Sequence, residues 1–242
     1  MRGLLRRGVS ATIPRRMKAP VRRYHSKWAR RRFFGAAAQK KRQPAGIAHP
    51  IEVQYFSGLA VAFRRGTTDE NVIMHSFEHD IFFTGVPEYK IGEKHVIIDV
   101  GAHIGTFSLL AASKAVRGQV HAVEPCSDSY RLLESNVLLN NAANVHPHRL
   151  ALSDIDGTTS LFMDAATWGH STVAPLSRQT EVVSCLSLDS FLNRNQIAVC
   201  DFMKRNCEGA EFPILLGSSP ETLRRLHTLL VLYHLDLWTA NR

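Results

Sequence analysis

The run His95-Val-Ile-Ile-Asp99 constrains this chain more than any other segment, because it is apolar at consecutive positions and breaks directly into a glycine turn. A strand without polar alternation is buried on both faces, the condition of a central strand in a parallel sheet covered by helices. Gly101 to Gly105 turns the chain, and Thr106 to Lys114 reads as a helix. The unit repeats downstream. Gln119 to Glu124 is a second strand, and Ser127 or Asp128 caps a helix with Leu133 and Val137 on one face, running to Asn140-Asn141. His148 to Leu152 reads as a third strand, with Asp156-Gly157 as a hairpin turn into Thr159–Met163. Val182–Leu186, Val199–Met203 and Thr228–Tyr233 read as further strands, and Ser219-Pro220-Glu221 as a capped helix start. Alternating strands and helices predict a three-layer α/β fold, Rossmann-like, around a mostly parallel sheet.

The spacing at the first turn narrows the ligand. A nicotinamide-binding turn reads GxGxxG and receives pyrophosphate at the helix N-terminus. Here the pattern is DxGxxxG, with Asp99 just ahead of Gly101 and Gly105. A carboxylate in that place repels pyrophosphate and suits the ammonium of a methionyl group. Glu124 ends the next strand, where an acid accepts from both hydroxyls of a ribose. A third polar cluster, Lys204-Arg-Asn-Cys-Glu208-Gly-Ala-Glu211, follows a later strand and faces the crevice at the carboxyl edge of the sheet. For Glu211 the alternative is dipole matching at a helix start.

Ile97 to Ser108, Val123-Glu-Pro125, Ala151-Leu-Ser153, Leu188-Asp189 and Lys204 to Glu211, in that order, resemble the FkbM-type methyltransferase family. Arg65 to Glu70 and Phe77 to Tyr89 resemble that family's lead-in, so the likeness covers roughly residues 60–235. The resemblance implies a class I methyltransferase sheet and S-adenosylmethionine as cofactor. It implies methyl transfer to a hydroxyl of a small metabolite, polyketide or sugar. It places Asp99, Gly101, Ala102 and Gly105 at the methionyl end, Glu124 at the ribose, and Ala151 and Leu152 beside the adenine. Asn206 and Glu211 then lie on the substrate side. In-line displacement asks mainly for alignment. Glu208 is the first candidate base and His234 the second, with Lys204 anchoring the substrate or lowering the pKa of its hydroxyl.

Two departures motivate a rival reading as a non-catalytic binding module. Asn206 stands where the family commonly has an acid, and the eight residues after His234 leave no room for the family's closing β-hairpin. A bare sheet edge would favour self-association. His75-Ser-Phe-Glu78-His79 matches a zinc-peptidase pattern but has no third ligand in a matching context, and His146-Pro-His148 has no partner at ligand spacing. The expectation is therefore no metal. The four cysteines show no CxxC spacing and read as reduced thiols.

Three regions follow: a basic arm over 1–50, a lead-in over 51–94, and the methyltransferase domain over 95–242. Charge separates the arm from the rest. Residues 1–51 hold 15 Lys+Arg and no acid, while the remaining 15 basic residues face 21 acidic ones, a net of −6. Leu5, Val9, Ile13 and Met17 recur every four residues among arginines, and Arg22-Arg-Tyr-His-Ser26 reads as a mitochondrial processing site. A nucleic-acid contact through residues 1–46, and with it an RNA-directed methyltransferase, is the less favoured alternative. A fluorescent fusion of residues 1–50 is expected to enter mitochondria and to be cleaved near Ser26. A diffuse cytosolic signal would remove the targeting reading.

Overall fold

Ile97 and Ile98 are neighbours in sequence and both fully buried, yet they pack into different apolar clusters. Strand β3 (Val96–Val100) therefore has a core on each face, as its unbroken apolar run requires. The computed structural model describes residues 49–84, 88–163, 169–173 and 178–232, all within the unit Ala45–Arg242. Around β3 the main sheet has the order β10-β9-β3-β4-β5 and is parallel throughout. Its other strands are β4 (Gln119–Val123), β5 (Val145–His148), β9 (Phe202–Arg205) and β10 (Leu229–Val231).

Ahead of β3 come β1 (Ile51–Phe56), β2 (Leu59–Arg64), α1 (Asp69–Ile73), a π-helical turn (Met74–Glu78) and α2 (Ile81–Thr84). Helices α3 (Thr106–Lys114) and α4 (Ser127–Leu139) build the layer on the Ile97 face, where Phe82, Phe107, Leu133 and Phe202 meet. Helices α5 (Leu188–Arg194), α6 (Glu211–Leu216) and α7 (Pro220–Arg224) build the layer on the Ile98 face with Phe191, Leu192 and Ile214. Burial of each such side chain contributes about 1.5–3 kcal/mol. Among the described residues no helix is long and apolar enough to cross a membrane.

The structure corrects the expected third strand and the hairpin after it. The chain leaves the main sheet after His148, and Ala151–Ser153 (β6) joins a second sheet of order β6-β8-β7, with β7 at Gly157–Phe162 and β8 at Thr180–Ser187. Asp156-Gly157 connects β6 and β7 without pairing them, because β8 lies between, parallel to β6 and antiparallel to β7. The Asp156 carboxylate instead accepts from the Ser187 N–H at 2.8 Å and the Ser190 hydroxyl at 2.6 Å, fixing the start of α5. The start of α4 is likewise held from a distance. Glu181 of β8 accepts from the N–H and the hydroxyl of Ser127, rather than Ser127 or Asp128 closing the helix end locally.

The lead-in is a hairpin with its own mode of attachment. Ser57 and Gly58 both take positive φ, 51° and 84°, the twist that a two-residue turn between antiparallel strands favours. An asparagine of α4 and the one that caps its C-terminus pair the other edge of β2. Asn140 exchanges hydrogen bonds with the N–H and C=O of Ala60, and Asn136 with those of Ala62. Fully buried Asn136 also donates to the Ile104 carbonyl, so it joins the hairpin to the turn after β3. Among the described residues the main sheet ends on β10, and the eight residues after His234, expected to leave that edge bare, lie outside the described ones, as do residues 1–48 of the basic arm.

His146 and His148 have the neighbour that their spacing in sequence hides. His121 on β4 stacks on His148 and lies tilted against His146, and its Nδ1 lies 3.0 Å from His148 Nε2. Burial, then His148 and His146, push His121 down to about 3 from 6.5. A folded-state pKa below the unfolded one means that the neutral ring stabilises above pH 6.5 and that stability is lost as pH falls. Going from pH 7 to pH 5 should cost about 2 kcal/mol through His121, from 1.36 kcal/mol per unit over the 1.5 units below 6.5. Melting curves of His121→Leu should show a smaller acid-induced drop in Tm than the wild type, and an equal drop would dismiss the ring as the cause.

Candidate active site

The register of the main sheet sets the first pair. Asp99 of β3 stands opposite Lys204 of β9, and Lys204 Nζ reaches Asp99 Oδ1 at 2.7 Å and the Gly101 carbonyl at 3.0 Å. The second oxygen of Asp99 accepts from the Ser108 hydroxyl of α3 at 2.7 Å. Both charged side chains are buried, and the ammonium also lies 5.2 Å from the Phe82 ring centre and 5.6 Å from that of Phe107. Lys204, expected to anchor the substrate or lower the pKa of its hydroxyl, is engaged with Asp99 and with the carbonyl of the glycine turn. Its charge neutralises Asp99 and fixes the turn of the glycine loop.

That loop owes its glycines to close packing. Gly101 has φ 75°, and a Cβ there would lie 2.0 Å from the Asn206 carbonyl oxygen. Gly105 has φ 85°, and its Cβ would meet Leu133 Cδ1 at 2.4 Å. The N–H groups of Gly101 and Ala102 both donate to Val123 O, and that of Gly105 to Ala102 O. The loop is thus pinned to the end of β4.

Glu124 completes that pinning. It is buried, and its two oxygens accept from the His103 N–H at 2.8 Å and the Cys126 N–H at 2.9 Å. Burial pushes its carboxyl up to about 7, against the pull of those N–H groups and of Lys204. A carboxylate so placed, with lone pairs beyond the two in use, fits the hydroxyl donors of a ribose. Ala151, expected beside the adenine, lies with Cys126 in one apolar cluster. Leu152 packs in a different cluster, in the core with Val123 and Leu188.

The loop after β9 borders the glycine turn. Asn206 donates its N–H to Val100 O and presents its carbonyl to Gly101, so its contacts to the cradle run through backbone. Glu208 sits at φ 50°, and its carbonyl accepts from the Ser171 hydroxyl at 2.6 Å. Glu211 is buried and accepts from the N–H groups of Cys207 and Gly209, each at 2.9 Å. Glu211, expected on the substrate side, thus holds the loop through these two N–H groups. Asp189 is also structural, since it accepts from the Ser219 N–H at the start of α7. His234 lies outside the described residues.

Sequence reasoning missed Arg64, Asp69, His103 and Ser129. Arg64 and Asp69 form a doubly bonded ion pair at 2.8 and 2.9 Å, Arg64 also donates to Ser129 Oγ, and His103 Nε2 lies 3.5 Å from Asp69 Oδ1. The signal was present in Arg64-Arg65 and Asp69-Glu70, but nothing in their spacing pointed to a histidine 34 or more positions away. Among the described residues no group of His, Cys, Asp or Glu is arranged to hold a metal ion, and the His75–His79 segment forms the π-helical turn and its end. Lys204→Met should destabilise the domain by about 3–5 kcal/mol, the penalty for stranding a buried charge. Urea unfolding unchanged from wild type would show that Lys204 is not the counter-ion of Asp99.

Comparison with known proteins places the chain. Residues 99–239, more than half of it, match the Methyltransferase FkbM domain. The chain is 46% identical over 107 residues to the AMB antimetabolite synthetase AmbE of Pseudomonas aeruginosa, which covers 44% of this chain and 5% of that protein. A SAM-dependent methyltransferase from Agrobacterium tumefaciens is 12% identical with a TM-score of 0.39, covering 78% of this chain and 54% of that one. TYW2 of P. horikoshii in complex with MeSAdo is 17% identical with a TM-score of 0.31, covering 43% and 37%. The chain thus spans about half or less of the length of these proteins. On the family match the chain belongs to the FkbM methyltransferase domain family.

Proposed function

We propose that the chain methylates a hydroxyl oxygen of a small metabolite or sugar, with Glu208 accepting the hydroxyl proton. The observation that carries this reading is the contact between two loops. The turn bearing Glu208 begins at Asn206, whose carbonyl packs on Gly101 so closely that a Cβ would not fit. The candidate base and the cofactor cradle are thereby held in one rigid unit.

S-adenosylmethionine supplies an electrophilic methyl group on a sulfonium centre. The acceptor oxygen gains a C–O bond as the C–S bond breaks, and its proton passes to the Glu208 carboxylate. Alignment supplies most of the acceleration in such a displacement. Glu124 and Ala151 hold the nucleoside side, and the Gly101–Gly105 turn, braced by Asp99 and Lys204, sets the depth of the site. Replacement of the family's acid by Asn206 leaves this arrangement intact, because residue 206 makes its contacts to the cradle through its N–H and C=O. That weighs against the non-catalytic reading.

Labelled-methyl transfer to a panel of sugars and small hydroxyl compounds tests the proposal. Glu208→Gln should lower the rate by about 100-fold or more while S-adenosylmethionine affinity stays constant, the scale of a lost general base. Full turnover in Glu208→Gln, or transfer confined to nitrogen or sulfur acceptors, would overturn it.

A further inference from the structure

The lead-in hairpin reaches the cofactor loop through one buried polar chain. Asp69, fully buried at the start of α1, accepts from the N–H of Arg64 at 2.9 Å and from its guanidinium at 2.8 and 2.9 Å. Arg64 extends to the Ser129 hydroxyl at 3.0 Å, in the first turn of the helix that follows Glu124. On the other side Asp69 Oδ1 and Arg64 Nη2 each lie 3.5 Å from His103 Nε2. His103 is the residue of the glycine loop whose N–H donates to Glu124, and it does so from φ 55°. That left-handed conformation is uncommon for a side chain with a Cβ, although His and Asn adopt it more readily than most.

We propose that Arg64 and Asp69 are positioning residues for the cofactor cradle, acting through His103. The ion pair grips the ring, the ring fixes the left-handed turn, and the turn aims the His103 N–H at Glu124. Ser129 ties the same guanidinium to the opposite wall, so one clamp spans both loops that flank Glu124. Removal of the clamp releases a donor from Glu124, and a carboxylate that loses a donor becomes harder to ionise. The charged groups facing Glu124 are Lys204 and Asp99, with Cys126 on its other oxygen. Those facing His103 are Asp69 and Arg64.

The inference rests on Glu124 as the ribose acid, and the test separates the two. S-adenosylmethionine alone is titrated into the full chain by calorimetry from pH 6 to pH 9. Ionised Glu124 is the binding form, so wild-type affinity should rise about ten-fold between pH 6 and pH 8, with its midpoint near 7, and Glu124→Gln should flatten the profile. Asp69→Asn and His103→Ala should weaken binding by about ten-fold at pH 7.5, the scale of one charged hydrogen bond, and move the midpoint upward. His103→Asn, which keeps the left-handed backbone, should move it less than His103→Ala. A loss of melting temperature with the midpoint unmoved in both Asp69→Asn and His103→Ala would overturn the clamp and leave the cradle standing. A wild-type profile without pH dependence would overturn the cradle and the clamp together.

Discussion

The pair between Asp99 and Lys204 settles more of this molecule than any other contact. Two unit charges taken out of water are tolerated only when each meets the other and the remaining donors and acceptors are filled. Here the parallel register of β3 and β9 puts the two residues opposite one another, Ser108 fills the second oxygen of Asp99, and Gly101 takes a second N–H of Lys204. Each of those partners belongs to a different part of the site: a helix start, a glycine turn and the strand that leads to the Glu208 loop. A one-residue slip of β9 against β3 would bury the ammonium against an apolar partner. The pair therefore fixes strand register as well as the height of the cofactor loop.

The central βαβ unit was legible in the sequence because its signals are local. An unbroken apolar run, a glycine where φ is positive and a helix reading from Thr106 to Lys114 all lie within twenty residues, and β3 and α3 fall at the places they predict. The failures share the opposite property. Asp156-Gly157 carries the chemistry of a hairpin turn, but β8 arrives from more than twenty residues away and takes both flanking strands as partners. Asn140 ends α4 as expected, but nothing local showed that it and Asn136 also pair the edge of β2. Lys204 was assigned to the crevice because the strand was expected to end at Met203. The strand runs to Arg205, which turns Lys204 inward onto Asp99. In each case a long-range partner outweighed the local propensity.

The lead-in shows how a segment with little sequence signal becomes part of the site. A two-stranded hairpin is marginal by itself. This one is completed on its inner edge by side-chain amides and at its end by the Arg64–Asp69 pair. Both attachments run to elements that carry the cofactor cradle, α4 and the loop at His103. The stability of the hairpin and the geometry of the cradle are consequently coupled. A substitution that loosens Asn136 acts on the same loop as one that loosens Asp69.

Four carboxylates cluster near the carboxyl edge of the sheet, and their surroundings divide the work among them. Asp99 is paired with the Lys204 ammonium and the Ser108 hydroxyl, which occupy one oxygen each. Glu211 spends both oxygens on loop N–H groups and is buried by the same fold that needs it. Glu124 is buried with a raised pKa, and donors that arrive with a ligand would favour its ionised form. Glu208 differs from all three. It is only half-buried, on a left-handed turn between Asn206, which packs on Gly101, and Gly209, which donates to Glu211. The neighbours hold its backbone in place. That combination of a fixed main chain and partial access to solvent is what a group needs if it is to meet an incoming hydroxyl and pass its proton onward. The roles proposed for them thus follow from environment rather than residue type, since all four groups carry the same chemistry in water.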